Sequence, residues 1–103
     1  MWGPVDGRFV VGRPRADIVV LDIDGMINVF DPETSELIVL NQTASAVWLL
    51  CDGVRTVEGV VAELVESYGA SLAVVGPDVA STVRDLTERG LIVAGPGLLR
   101  ATT

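Results

Sequence analysis

Histidine and lysine are absent from this 103-residue chain, and cysteine occurs once. Each gap removes a class of chemistry. Without imidazole, and with Cys51 as the single thiol, a metal site would have to be built mainly from carboxylates, a donor set that structural zinc rarely uses. No metal and no other cofactor is expected, and no catalytic residue is nominated. A lone cysteine forms no internal disulfide, and on the apolar face of a helix it reads as packing. Aromatics make up only 5% of the residues, so branched aliphatic side chains must supply most of the core. Positive charge is scarce as well: seven arginines face fourteen acidic residues, for a net charge of −7. Such a surface repels phosphate backbones, and the arginines are scattered from Arg8 to Arg100, so nucleic acid is not an expected partner. No apolar run reaches the length of a membrane span, because Asp or Gly interrupts each one, and no membrane association is expected. Residues 1–7 carry Pro4 and Asp6 and lack the basic-then-apolar order of a signal peptide, which points to a cytoplasmic protein.

What is present suffices for one domain, since half of the residues are apolar. Residues 1–16, rich in Gly, Pro and Arg, read as a flexible N-terminal arm in which Phe9-Val10-Val11 could add a short strand. Residues 18–23 and 26–30 are β-rich runs separated by Asp24-Gly25, a pair suited to the positive φ angles of a tight hairpin. A polar turn over 31–36, with Pro32 fixing φ, leads to a third strand, Leu37-Ile38-Val39-Leu40. The hydrophobic period then changes. Asn41 or Thr43 offers a side-chain oxygen as helix N-cap, Ala44, Val47, Trp48 and Cys51 recur at helical spacing, and Asp52-Gly53 ends the helix. A second helix follows Thr56, with Val57, Val60, Val61, Leu64 and Tyr68 on one stripe. Residues 69–76 read as a loop, and Pro77-Asp78 as the start of a third helix that carries Val79, Val83 and Leu86 to a cap at Gly90. Leu91-Ile92-Val93 packs back as an extended end, and 94–103 read as a flexible tail. The expected fold is α+β and winged-helix-like: a three-stranded antiparallel sheet followed by three helices, in a domain over 17–93.

Three motifs admit a functional reading and lose it to a simpler one. Val20-Leu21-Asp22-Ile23-Asp24-Gly25 resembles the first motif of haloacid-dehalogenase-type phosphatases, in which two spaced aspartates serve as nucleophile and acid/base beside Mg²⁺. Here Met26 replaces the usual threonine, no lysine exists to bind the phosphoryl group, and Gly25 leads into another strand rather than a helical crossover. The aspartates therefore read as a solvated hairpin turn. The second and third helices suggest a helix-turn-helix, but Arg84 and Arg89 are outnumbered by Asp78, Asp85 and Glu88, which does not suit a DNA reader. Asn41-Gln42-Thr43 fits a glycosylation sequon, yet its side chains are better employed as a helix cap.

The third strand poses a sharper question. In a meander ordered 1-2-3 it lies at an edge, and Leu37-Ile38-Val39-Leu40 has no charge, proline or glycine to protect it. Either a helix or the N-terminal arm covers that edge, or it is kept open for an incoming peptide strand.

Taken in order, the strand pair around Asp24-Gly25, the turn Asp31-Pro32-Glu33-Thr34, Leu40-Asn41-Gln42-Thr43-Ala44, the helix end from Trp48 to Gly53, Arg55-Thr56-Val57, Asp78-Val79 with Leu86, and Gly90-Leu91 resemble the PqqD family. The same module is called the RiPP recognition element. The resemblance implies a non-catalytic peptide chaperone, not an enzyme. It implies that the leader of a ribosomally made precursor docks as an added strand on Leu37, Ile38, Val39 and Leu40, with Val79, Thr82, Val83 and Leu86 facing it from the third helix. The implied partners are that leader peptide and a maturation enzyme of natural-product biosynthesis: a radical-SAM enzyme, a leader protease or a cyclase. A homodimer through the free edge is a further expectation. The alternative reading is an acidic winged-helix module for regulation or assembly that binds no leader.

Overall fold

The computed structural model describes residues 8–93. The expected tail at 94–103 and the first part of the expected arm, residues 1–7, lie outside them. The chain runs β1 (Arg13–Pro14), β2 (Val19–Ile23), β3 (Met26–Asp31), β4 (Glu36–Val39), α1 (Gln42–Leu50), α2 (Val57–Tyr68), α3 (Leu72–Glu88) and β5 (Ile92–Val93). Strands β2, β3 and β4 form an antiparallel sheet in that order, so the fold is the α+β arrangement expected, with three helices after the sheet. A second small sheet pairs β1 with β5.

Local chemistry sets the turns. Asp24 and Gly25 have φ of 55° and 84°, the two successive positive values that a two-residue hairpin requires, and Ile23 stands opposite Met26. Asp22 fixes this turn: its Oδ1 accepts the Gly25 N–H at 2.9 Å. Asp24 of the phosphatase-like motif thus sits in an exposed turn, and Asp22 braces that turn from the end of β2. Asn41 caps α1 by accepting the Ala44 N–H at 2.8 Å, and Thr56 caps α2 by accepting the Gly59 N–H at 3.1 Å. At the end of α3, Leu91 N–H reaches the Leu86 carbonyl and Gly90 N–H the Thr87 carbonyl, with Gly90 at φ 73°. That pair of bonds is a Schellman cap, and its accompanying apolar residues, Leu86 and Leu91, are both buried.

The core gathers Ile27 and Val29 from β3, Val47 and Trp48 from α1, Val57, Val60, Val61 and Leu64 from α2, and Val75, Val79, Ala80, Val83 and Leu86 from α3. Tyr68, expected on the buried stripe of α2, is instead exposed at the last residue of the helix, although it shares the azimuth of Leu64 and Val61. The start of α3 also differs from expectation. The helix begins at Leu72, with Ser71 accepting the N–H groups of Val74 and Val75 through its carbonyl, and Pro77 lies inside it. Proline there withholds one bond, from the carbonyl of Ala73, and Ala73 is an exposed residue, where a lost bond costs little.

The described part of the expected flexible arm is held. Val10 bridges Thr56, Val11 N–H donates to the Arg55 carbonyl, and Val57 N–H donates to the Phe9 carbonyl. Val11 is fully buried. Gly12 permits this path, since a Cβ there would stand 2.5 Å from the Val93 carbonyl oxygen. Arg15 completes the attachment by donating to the carboxylates of Asp17 and Asp31 and to the Gly90 carbonyl. It thereby ties the end of β3 to the C-terminus of α3.

Candidate functional site

Strand β4 has one neighbour in its sheet, β3, so among the described residues its other edge is unpaired. Alternation along the ladder tells which groups face outward. Leu40 N–H donates to the Ile27 carbonyl at 2.9 Å, which makes Ile27 and Leu40 a hydrogen-bonded pair. Two residues along, Val29 and Ile38 belong to the same class. The N–H and C=O groups of Leu37 and Val39 therefore point away from β3, into the open edge. Leu37 and Val39 are also exposed as side chains, at 57% and 64%.

The junction between β4 and α1 is held by one hydroxyl. Ser45 Oγ accepts the Ile27 N–H at 2.9 Å and donates to the Leu40 carbonyl at 3.2 Å. Its side chain stands in for the direct bond that would otherwise run from Ile27 to Leu40. Ser45 is buried, so it supplies satisfaction that water does not.

Beside the open edge lies a groove of about 370 Å³ between β4 and α3. Ile38, Val39 and Leu40 form one side, with Asn41 and Ala44 at the end nearest α1. From α3 come Ser81, Thr82, Arg84, Asp85, Leu86, Glu88 and Arg89. Of the eight residues expected at the site, Ile38, Val39, Leu40, Thr82 and Leu86 line this groove. Leu37, Ile38, Val39 and Leu40 lie along β4 and the link to α1, while Thr82 and Leu86 face them from α3. Val79 and Val83 do not line the groove: both are fully enclosed in the core. The reason is helical geometry. The apolar stripe of α3 is the stripe the core claims, and the groove takes the flank about a third of a turn away.

That flank is polar, which is why apolar patterning missed Ser81, Arg84, Asp85, Glu88 and Arg89. Arg89 Nε donates to Asp85 Oδ2 at 3.1 Å, one turn apart on the helix. The clamp of Arg15 on Asp31 and Gly90 sets the separation of the walls at the far end, where Asp31 pairs with Glu36 of β4. The Arg15 guanidinium holds the Asp31 carboxyl below the usual carboxylate range. Backbone N–H groups of Arg55 and Val54 do the same for Asp52, which turns the chain between α1 and α2. Burial, with the Asp52 carboxylate nearby, pushes the Cys51 thiol up to about 12. Cys51 is therefore a protonated packing residue rather than a nucleophile. Among the described residues no group of three or more histidine, cysteine or acidic side chains converges on one point, and no helix is long and apolar enough to cross a membrane.

Known proteins resemble this chain in fold and sequence. A solved lasso peptide synthetase B1, complexed with its leader peptide, is 28% identical, with a TM-score of 0.65 over 79% of this chain and 95% of its own. TbiB1 in complex with the TbiA(beta) leader peptide, 20% identical, matches in fold with a TM-score of 0.67 over 78% of this chain and 93% of that one. A curated relative from Rhodopseudomonas palustris (strain BisB5), described as a PqqA binding protein, is 37% identical over 43 residues. The aligned part is 42% of this chain and 42% of that relative. The profile of the family described as coenzyme PQQ synthesis protein D matches residues 18–92, which takes in the sheet, all three helices and both walls of the groove. This chain belongs to the PqqD family.

Proposed function

We propose that this chain is a non-catalytic chaperone that binds the leader of a ribosomally made precursor peptide as a fourth strand on β4 and presents it to a maturation enzyme. The observation that carries the reading is the open edge at Leu37 and Val39, with a groove directly beside it. A strand added there gains backbone bonds that tolerate many sequences, while alternate side chains enter the groove and supply selectivity. The names of a PqqA-binding relative and of two leader-bound structural neighbours support the same ligand class. Held this way, the modifiable part of the precursor reaches the enzyme at raised effective concentration, and the chemistry belongs to that enzyme. A radical-SAM enzyme, a leader protease or a cyclase would each suit the role.

The test is titration of fluorescently labelled leader peptides of the PqqA and lasso-peptide types, together with amide hydrogen exchange. Saturable binding with new protection at the Leu37 and Val39 amides is expected. Binding without protection at those two amides would move the site elsewhere. No binding at all would favour the assembly-module reading.

A further inference from the structure

Among the groove's cations, Arg89 is occupied by Asp85. Arg84 is not occupied: among the described residues it forms no ion pair and no hydrogen bond, although it is half-buried. An arginine so placed keeps its five N–H donors free for a ligand, since no protein group among the described residues takes them. The helix offers one candidate, Glu88, a turn further on and also in the groove. Glu88 is exposed and stays beyond ion-pair distance, in keeping with the less favourable order of arginine before glutamate along a helix.

We propose that Arg84 sets the selectivity of the groove by pairing with a carboxylate side chain on the incoming strand. This rests on the strand-docking reading above. Ile38 shares the inward-facing row of the sheet with Val29, which is buried. A strand laid along Leu37 and Val39 continues that row, so every second side chain enters the groove toward α3. A carboxylate there meets the guanidinium with two parallel N–H···O bonds, a match that a neutral amide or hydroxyl makes less well. The net charge of −7 acts the other way and disfavours an acidic peptide at long range. Salt screens that repulsion beyond about 8 Å, whereas a pair in contact inside the groove is screened much less. The acid preference therefore shows in slow dissociation rather than in fast association.

The experiment sorts a displayed library of short peptides, built on an alternating apolar pattern, against the wild-type chain and against Arg84→Gln, Arg84→Glu and Val39→Pro, each first shown to fold by far-UV spectra. Wild-type binders are expected to be enriched in Asp or Glu at one inward position. Those peptides should bind Arg84→Gln about tenfold more weakly, while Arg84→Glu should select Lys or Arg at the same position. Arg84→Gln serves alone if the charge reversal does not fold. Binders that are sensitive to Val39→Pro but show no acid preference would overturn the role of Arg84 and leave strand docking intact. No enriched binders, or binders indifferent to Val39→Pro, would overturn strand docking and this proposal with it.

Discussion

Replacing Ser45 with alanine removes one oxygen and leaves two backbone groups without partners. The Ile27 N–H and the Leu40 carbonyl both depend on that hydroxyl, at 2.9 and 3.2 Å. Ile27, Leu40 and Ser45 are all buried. Each orphaned group costs about 1–3 kcal/mol, so the pair predicts a loss of about 2–6 kcal/mol. The void left by one oxygen is too small to hold a water without rearrangement, and the remaining bond from Leu40 N–H to the Ile27 carbonyl does not compensate either group. Against a total stability of about 5–15 kcal/mol for a domain of this size, the change is large. Urea unfolding followed by far-UV circular dichroism measures it, and Ser45→Thr, which keeps a hydroxyl, is the control for volume. The loss should also loosen the join between β4 and α1, so amide exchange at Leu40 should rise ahead of exchange in the α2 core. A measured loss below about 0.5 kcal/mol would refute the argument that the hydroxyl replaces a ladder bond.

Val39→Pro removes an outward N–H without touching the ladder to β3, so it should fold yet bind a leader about five- to tenfold more weakly, whereas Ile38→Pro should destabilise the sheet itself; parallel peptide titration and thermal unfolding separate the two. Val83→Asp places a carboxylate in a fully enclosed site and should unfold the domain, while Thr82→Asp on the groove flank should fold and change only peptide affinity, as read by the same pair of assays. Asp31 has a folded-state pKa lowered chiefly by Arg15, so the stability it contributes is present above the unfolded value of about 3.9 and is lost as pH falls through the lower folded value. Urea midpoints taken from neutral to acid pH should therefore decline below about pH 4, with a shallower decline in Asp31→Asn. Cys51, buried and with its thiol pushed up to about 12, should resist a thiol reagent at neutral pH until the protein is unfolded.

Features decided within a few residues were legible in the sequence. Asp24-Gly25 declared its hairpin because positive φ at two successive positions is a local requirement. Asn41 and Thr56 declared their helices because a cap bonds to an N–H three residues on. The unprotected edge at Leu37 to Leu40 was also visible, since strand order and side-chain chemistry suffice to raise the question. Whether that edge stayed open was a matter of tertiary structure. The N-terminal segment was a candidate to cover it, and residues 9–14 instead run against Thr56 and β5, through Val11 and Gly12. The sequence pointed to α3 for the second wall, and two of the residues it named there, Val79 and Val83, are enclosed in the core. Val79 and Val83 carry the apolar pattern, and whichever residues carry it are drawn into the core, leaving the groove to neighbours with no periodic signature. Pro77 misled in the same manner, because whether a missing N–H matters depends on whether water reaches the carbonyl it leaves free. The Arg15 clamp was invisible for a different reason: its partners Asp31 and Gly90 stand 16 and 75 residues away, a proximity that only the packed sheet and helices create.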